Sequence, residues 1–250
     1  MKIVDAAVNL RDKLSGGVAD LRRMPRDPVA EHPDGAVLHR YRPAARAADV
    51  ASAPVLLVPP LGAPDFAYDL RRGCSLVEHL LAQRRDVYLV DYGDMSFADR
   101  RRGMEHWVDD IVPWAVRIAG GRAAGGRAHL VAWSLGGIFA LLAVAAATQD
   151  GDPLPVGTVT AIGSPVDISA VPLVAPLRPL AAATGGRALS AVYQAIGNFP
   201  GPLVSFGFQL TAVDRLVTKP LTVASRLDDR DCLAQIEAVD HLMANMRGYP

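Results

Sequence analysis

The alternation of apolar strand candidates with helical stretches constrains this chain more than any other feature. Residues 54–64 (PVLLVPPLGAP), 86–94 (DVYLVDYGD), 128–133 (AHLVAW) and 156–165 (VGTVTAIGSP) read as buried strands with their exit loops. Helical stretches separate them. Residues 75–84 place Leu76, Val77, Leu80 and Leu81 on one face, 104–120 carry a bend at Pro113, and 135–147 are apolar almost throughout. Strand and helix in strict turn predict a doubly wound, mostly parallel sheet. A preceding run, GAVLHRYRP (35–43), alternates like a half-buried strand, and residues 2–23 show a one-faced helical spacing from Val4 to Leu21.

Beyond Pro165 the pattern changes to apolar helical pieces broken by proline and glycine. The strand-like piece there is LTVAS (221–225). The expected organisation is an N-terminal helical segment (1–34), an α/β core (35–170) and a helical cap region (171–250). Ala188–Val213 holds no charge, yet GNFPGP interrupts it, so two short helices are expected rather than a membrane span.

Composition narrows the function. Lysine plus arginine and aspartate plus glutamate balance at 26 each, which gives no field for nucleic acid. Two cysteines, Cys74 and Cys232, are too few for a disulfide framework and are not spaced as metal ligands. The N-terminus lacks the apolar core of a signal peptide. A cytoplasmic protein without metal or organic cofactor is expected.

The chemistry centres on Ser134 in HLVAWSLGG (129–137). It lies between a buried strand and an apolar helix, where a nucleophile elbow requires its serine. The usual G-x-S-x-G reads A-W-S-L-G here, with Ala132 in the first glycine position and Gly136 in the second. The turn exposes the hydroxyl at the strands' C-terminal edge, beside a helix N-terminus that favours developing negative charge. Leu135 offers one backbone N–H for an oxyanion. The VPPLGAP loop (58–64) offers the second, from Leu61 or, alternatively, Gly62, since Pro59 and Pro60 have none.

With these residues in place, the chain resembles the poly(3-hydroxyalkanoate) synthase branch of the α/β-hydrolase superfamily. The similarity rests on the Val-Pro-Pro loop (58–60), Asp69-Leu70 followed by Ser75-Leu76-Val77, the strand VYLV (87–90), the elbow, and GSPVDIS (163–169). It covers roughly residues 54–170. Those synthases use a nucleophilic cysteine, whereas this chain has Ser134. Serine suits ester hydrolysis or transfer to a small acceptor at least as well as polymer extension.

In that superfamily the acid and histidine follow later strands. Their absence here leads to the expectation that the chain stops before them. Asp167 and His241 are the in-chain alternative, in the order Ser…Asp…His. The expected substrate is a lipophilic acyl ester or thioester, and peripheral contact with a lipid or polymer surface is expected from the apolar cap. The oligomeric state is left open. The competing reading is a catalytically inert module that binds hydrophobic ligands or a partner.

Overall fold

Residues Val55–Val58 form β3, a strand whose side chains are all buried. That burial requires cover on both faces, and the rest of the fold supplies it. The computed structural model describes residues 2–42, 53–122, 125–167, 178–210 and 213–249. In chain order the preceding elements are α1 (Lys2–Ser15), β1 (Arg26–Glu31) and β2 (Val37–Tyr41). After β3 come α2 (Leu76–Ala82), β4 (Val87–Asp91), a 3-10 turn (Phe97–Asp99), a π-helical segment (His106–Ile111) and α3 (Val112–Gly121). Next are β5 (Ala128–Trp133), α4 (Leu135–Gln149) and β6 (Val156–Ile162). Five further helices follow: α5 (Arg178–Thr184), α6 (Arg187–Ile196), α7 (Gly201–Leu210), α8 (Val213–Ser225) and α9 (Arg230–Ala244).

The six strands form one sheet in the order β1-β2-β4-β3-β5-β6. β4, β3, β5 and β6 run parallel, while β2 runs antiparallel to β1 and β4. Successive side chains point to opposite faces. Leu56, Val58, Tyr88 and Val90 therefore meet the helical layer of Trp107, Ile111, Val112 and Phe139. Val55, Leu57, Val87 and Leu89 meet Tyr68, Val77 and Leu81 on the other face. This is the doubly wound, mostly parallel α/β sheet that the alternation of strands and helices predicts.

Ser75 caps α2 by accepting the Glu78 N–H at 3.0 Å. Its own hydroxyl donates to the buried Asp69 carboxylate at 2.5 Å, whose other oxygen accepts the Met24 N–H at 2.5 Å. Asp69 and Ser75 thus hold the 59–74 loop against the chain entering β1.

Some local expectations change. The helix expected over 2–23 ends at Ser15, and a strand follows at Arg26–Glu31. LTVAS (221–225) is the last turn of α8 rather than a strand. Pro113, where a bend is expected, lies in the first turn of α3, directly after the π-helical segment. The uncharged stretch 188–213 contains most of α6 and all of α7, broken at 197–200, and no helix among the described residues is long and apolar enough to cross a membrane. Ile168 and Ser169, the end of the GSPVDIS motif, residue 170, and residues 171–177 at the start of the cap region lie outside the described residues.

Candidate active site

Ser134 is the junction of β5 and α4, with φ 53° and ψ −122°. A side chain rarely adopts positive φ, because Cβ crowds the neighbouring carbonyl. Among the described non-glycine residues, Ser134 shares that sign of φ with Arg84. The strain persists because both sides of the turn are pinned. The Ser134 N–H donates to the Ile162 carbonyl at 2.9 Å, at the end of β6. The Ser134 carbonyl accepts the Gly137 N–H at 3.0 Å. The serine side chain is half-buried and makes no hydrogen bond among the described residues.

The glycines after Ser134 have separate reasons. A Cβ on Gly136 would stand 2.4 Å from the Val58 oxygen and 2.5 Å from the Pro59 oxygen. Helix α4 therefore starts against the backbone leaving β3. A Cβ on Gly137 would instead meet the Ser164 Oγ at 1.9 Å. Ala132, in the first glycine position of the pattern, is a fully buried residue of β5 packed in the core.

The second expected oxyanion donor, Leu61, is buried in the loop leaving β3. Neither its N–H nor that of Leu135 donates to a protein acceptor among the described residues. Two tyrosines brace this loop. The Tyr68 hydroxyl donates to the Val58 carbonyl at 2.8 Å, and the Tyr92 hydroxyl donates to the Pro59 carbonyl at 3.0 Å. Burial pushes both phenols well above their ordinary range.

The segment following α9 closes over the same loop. The Arg247 N–H donates to the Gly62 carbonyl at 2.8 Å, and the Tyr249 and Phe199 backbones exchange hydrogen bonds of 2.8 and 2.9 Å. The Arg247 guanidinium pairs with Asp91 at 2.5 Å and with Asp94 at 3.4 Å. Asp91 also accepts the Gly93 N–H at 3.0 Å, the turn role its position at a strand end suggests, and lies 3.7 Å from His39 Nε2. Burial of Asp91 opposes ionisation. The His39 imidazole, the Arg247 charge and the Gly93 N–H outweigh it and hold the carboxyl well below the usual carboxylate range.

His241 lies on α9. Its ring stacks on Phe66 with centroids 5.0 Å apart, and its Nδ1 is 3.3 Å from Asn245 Nδ2. Among the described residues no hydrogen bond joins it to Ser134. Asp167 lies in the segment leaving β6. Tyr68, Tyr92 and Arg247 were missed by the sequence reading. Their roles come from partners far along the chain, and no local pattern marks them.

No protein-family profile matches the chain. Two curated relatives are poly(3-hydroxyalkanoate) polymerase subunits PhaC. The one from Allochromatium vinosum is 26% identical over 199 residues, 79% of this chain and 53% of the relative. The one from Synechocystis is 29% identical over 197 residues, 75% of this chain and 46% of the relative. The chain thus spans about half the length of these relatives. Among solved structures, it is similar to a carboxylesterase of the thaumarchaeon Nitrososphaera gargenis at 18% identity and TM-score 0.39, over 65% of this chain and 54% of that one. A Rhizomucor miehei esterase matches at 17% identity and TM-score 0.41, over 64% of this chain and 50% of that one. The chain is similar in sequence to these poly(3-hydroxyalkanoate) polymerase subunits.

Proposed function

We propose that this chain carries a serine-nucleophile site for hydrolysis or transfer of a lipophilic acyl group held as an ester or thioester. The observation that carries the reading is the backbone of Ser134, held at φ 53° between a parallel strand and a helix N-terminus. The hydroxyl attacks the acyl carbonyl, and the Leu135 and Leu61 N–H groups stabilise the tetrahedral oxyanion. Attack requires a base to take the hydroxyl proton, which then passes to the leaving alkoxide or thiolate. His241, with Asp167 as its acid, is the in-chain candidate, and its ring must leave the Phe66 stack to serve. The similarity to PhaC subunits supports an acyl ester or thioester as the substrate class.

A second reading has its own support. The His241 ring is engaged by Phe66 and Asn245, which favours an inert fold that binds hydrophobic ligands or a partner. A fluorophosphonate probe distinguishes the two. Labelling of the 250-residue chain that disappears in Ser134→Ala supports the nucleophile, and further loss in His241→Gln assigns the base. Absence of labelling at saturating probe, in a chain shown to be folded, overturns the enzymatic reading.

A further inference from the structure

Three metal-ligating side chains converge where the β1–β2 turn meets the π-helical segment, with His106 beside them. One ring nitrogen of His32 and one carboxylate oxygen each of Asp34 and Asp110 lie within 4.8 Å of one another. His32 Nε2 is 3.2 Å from Asp110 Oδ1, and His32 Nδ1 is 3.7 Å from Asp34 Oδ2. His106 Nδ1 adjoins both acids, 3.7 Å from Asp34 Oδ2 and 3.8 Å from Asp110 Oδ2. In a tetrahedral site with ligand bonds of about 2.0–2.1 Å, neighbouring donors stand about 3.3 Å apart. His32 Nε2 stands at that spacing from Asp110 Oδ1, and His106 Nδ1 stands about half an ångström farther from each acid, while the close contact of His32 with Asp34 runs through its opposite ring nitrogen.

Both imidazoles are oriented by indole contacts rather than left to rotate. The Trp114 ring meets His32 edge-on with centroids 5.3 Å apart, and Trp107 meets His106 edge-on at 5.2 Å. The His32 and His106 side chains are 10% and 14% exposed, against 42% and 49% for Asp34 and Asp110. An ion could therefore enter from the carboxylate side. One cation, Arg102, lies nearby, 3.6 Å from Asp34 Oδ1, but it is also 3.1 Å from Asp99 Oδ1. The carboxylates Asp34, Asp99 and Asp110 outnumber it.

We propose that His32, Asp34 and Asp110, with His106 adjoining, form a binding site for a divalent transition-metal cation such as zinc, tying the β1–β2 turn to the π-helical segment. Mixed imidazole and carboxylate donors suit zinc better than the oxygen-seeking magnesium or calcium. The ion takes the place between His32 Nε2 and Asp110. The ring proton then moves to Nδ1, so the Asp34 N–H that now donates there at 3.2 Å must turn away. Asp34 Oδ2 is placed to accept that proton or to ligate. The β2–β4 register pairs Val37 with Asp91, so this turn sits at the same sheet edge as Ser134. The site needs no step of the acyl chemistry, and its test is independent of that chemistry.

The test is equilibrium dialysis of the metal-free 250-residue chain against zinc, with cobalt(II) absorption as a second readout. Asp34→Asn and Asp110→Asn alter half-exposed side chains, and circular dichroism confirms that they fold. One zinc per chain is expected, with affinity about ten- to a hundredfold weaker in Asp110→Asn and in His32→Gln. Cobalt should give the intense visible bands of a four-coordinate nitrogen–oxygen site. Absence of saturable binding overturns the proposal. So does binding unchanged by these substitutions, or a cobalt–thiolate charge-transfer band that places the ion at Cys74 or Cys232.

Discussion

Gly136 lies directly against the Val58 carbonyl, close enough that a Cβ would stand 2.4 Å from its oxygen. The obstacle is backbone, and Pro59 adds a second carbonyl at 2.5 Å. Gly136→Ala must therefore push α4 away from the loop that carries Leu61. A loss of about 3 kcal/mol is expected in urea denaturation. Gly137→Ala meets the Ser164 Oγ, which can rotate away, and the tighter but non-clashing Cβ atoms of Ser164 at 3.0 Å and Ala161 at 3.2 Å, and about 1 kcal/mol is expected there. Equal losses at the two positions would contradict the distinction between a backbone and a side-chain obstacle.

Ser134 stores strain that glycine would release. Ser134→Gly is expected to stabilise the fold by about 1 kcal/mol relative to Ser134→Ala, because only glycine occupies positive φ without crowding. Both variants should lose labelling by the fluorophosphonate probe. If glycine and alanine give the same midpoint, the turn is not strained in solution.

Asp91 links stability to acid. Its folded-state carboxyl is held below the ordinary value, so the unfolded chain binds the proton first as pH falls. The contribution is complete above an unfolded value of about 3.9 and is lost as pH falls towards the folded value. Asp91→Asn is expected to cost about 2 kcal/mol at neutral pH, since Arg247 keeps a weaker partner in Asp94. The difference between wild type and variant should shrink below about pH 4. A difference that stays constant down to pH 2 would be the wrong result.

The buried tyrosines act at the opposite end of the pH scale. Burial raises Tyr68 and Tyr92, and pushes Tyr41 up to about 12. Unfolded tyrosine releases its proton near pH 10, so stability falls as pH rises above that value. Tyr68→Phe removes one such group together with its hydrogen bond to Val58. It is expected to cost about 1 kcal/mol at neutral pH and to flatten the alkaline decline. Ultraviolet titration of phenolate in both proteins, beside thermal melts, checks this.

β3 and β4 were legible because parallel strands buried on both faces leave nearly continuous apolar runs, as VLLV at 55–58 and VYLV at 87–90 do, whereas β6, also read as buried, is mostly exposed at the end of the strand order. β1 was not legible. Pro28 and its charged ends suit an edge strand with a bulge between Pro28 and Ala30, and neither feature has a strand's composition. LTVAS looks extended by its β-branched residues, yet Thr222 and Ser225 direct their hydroxyls to carbonyls of the preceding helical turn. The sharp turn at Ser134 could be placed because strand, turn and helix are contiguous. His32 and Asp110 could not, because 78 residues separate the two sides of that cluster.

The Asp91–Arg247 pair also bears on the order of assembly, since its members are 156 positions apart in the chain. Closing so long a loop gains little from any one contact until the strands between have already paired. The carboxylate at the end of β4 is therefore carried through early folding without its guanidinium. In a pulse-labelling refolding experiment, amide protection at Arg247 is expected to trail that of β3 and β5. The floor of the candidate site would then be laid before the segment that covers the Leu61 loop arrives.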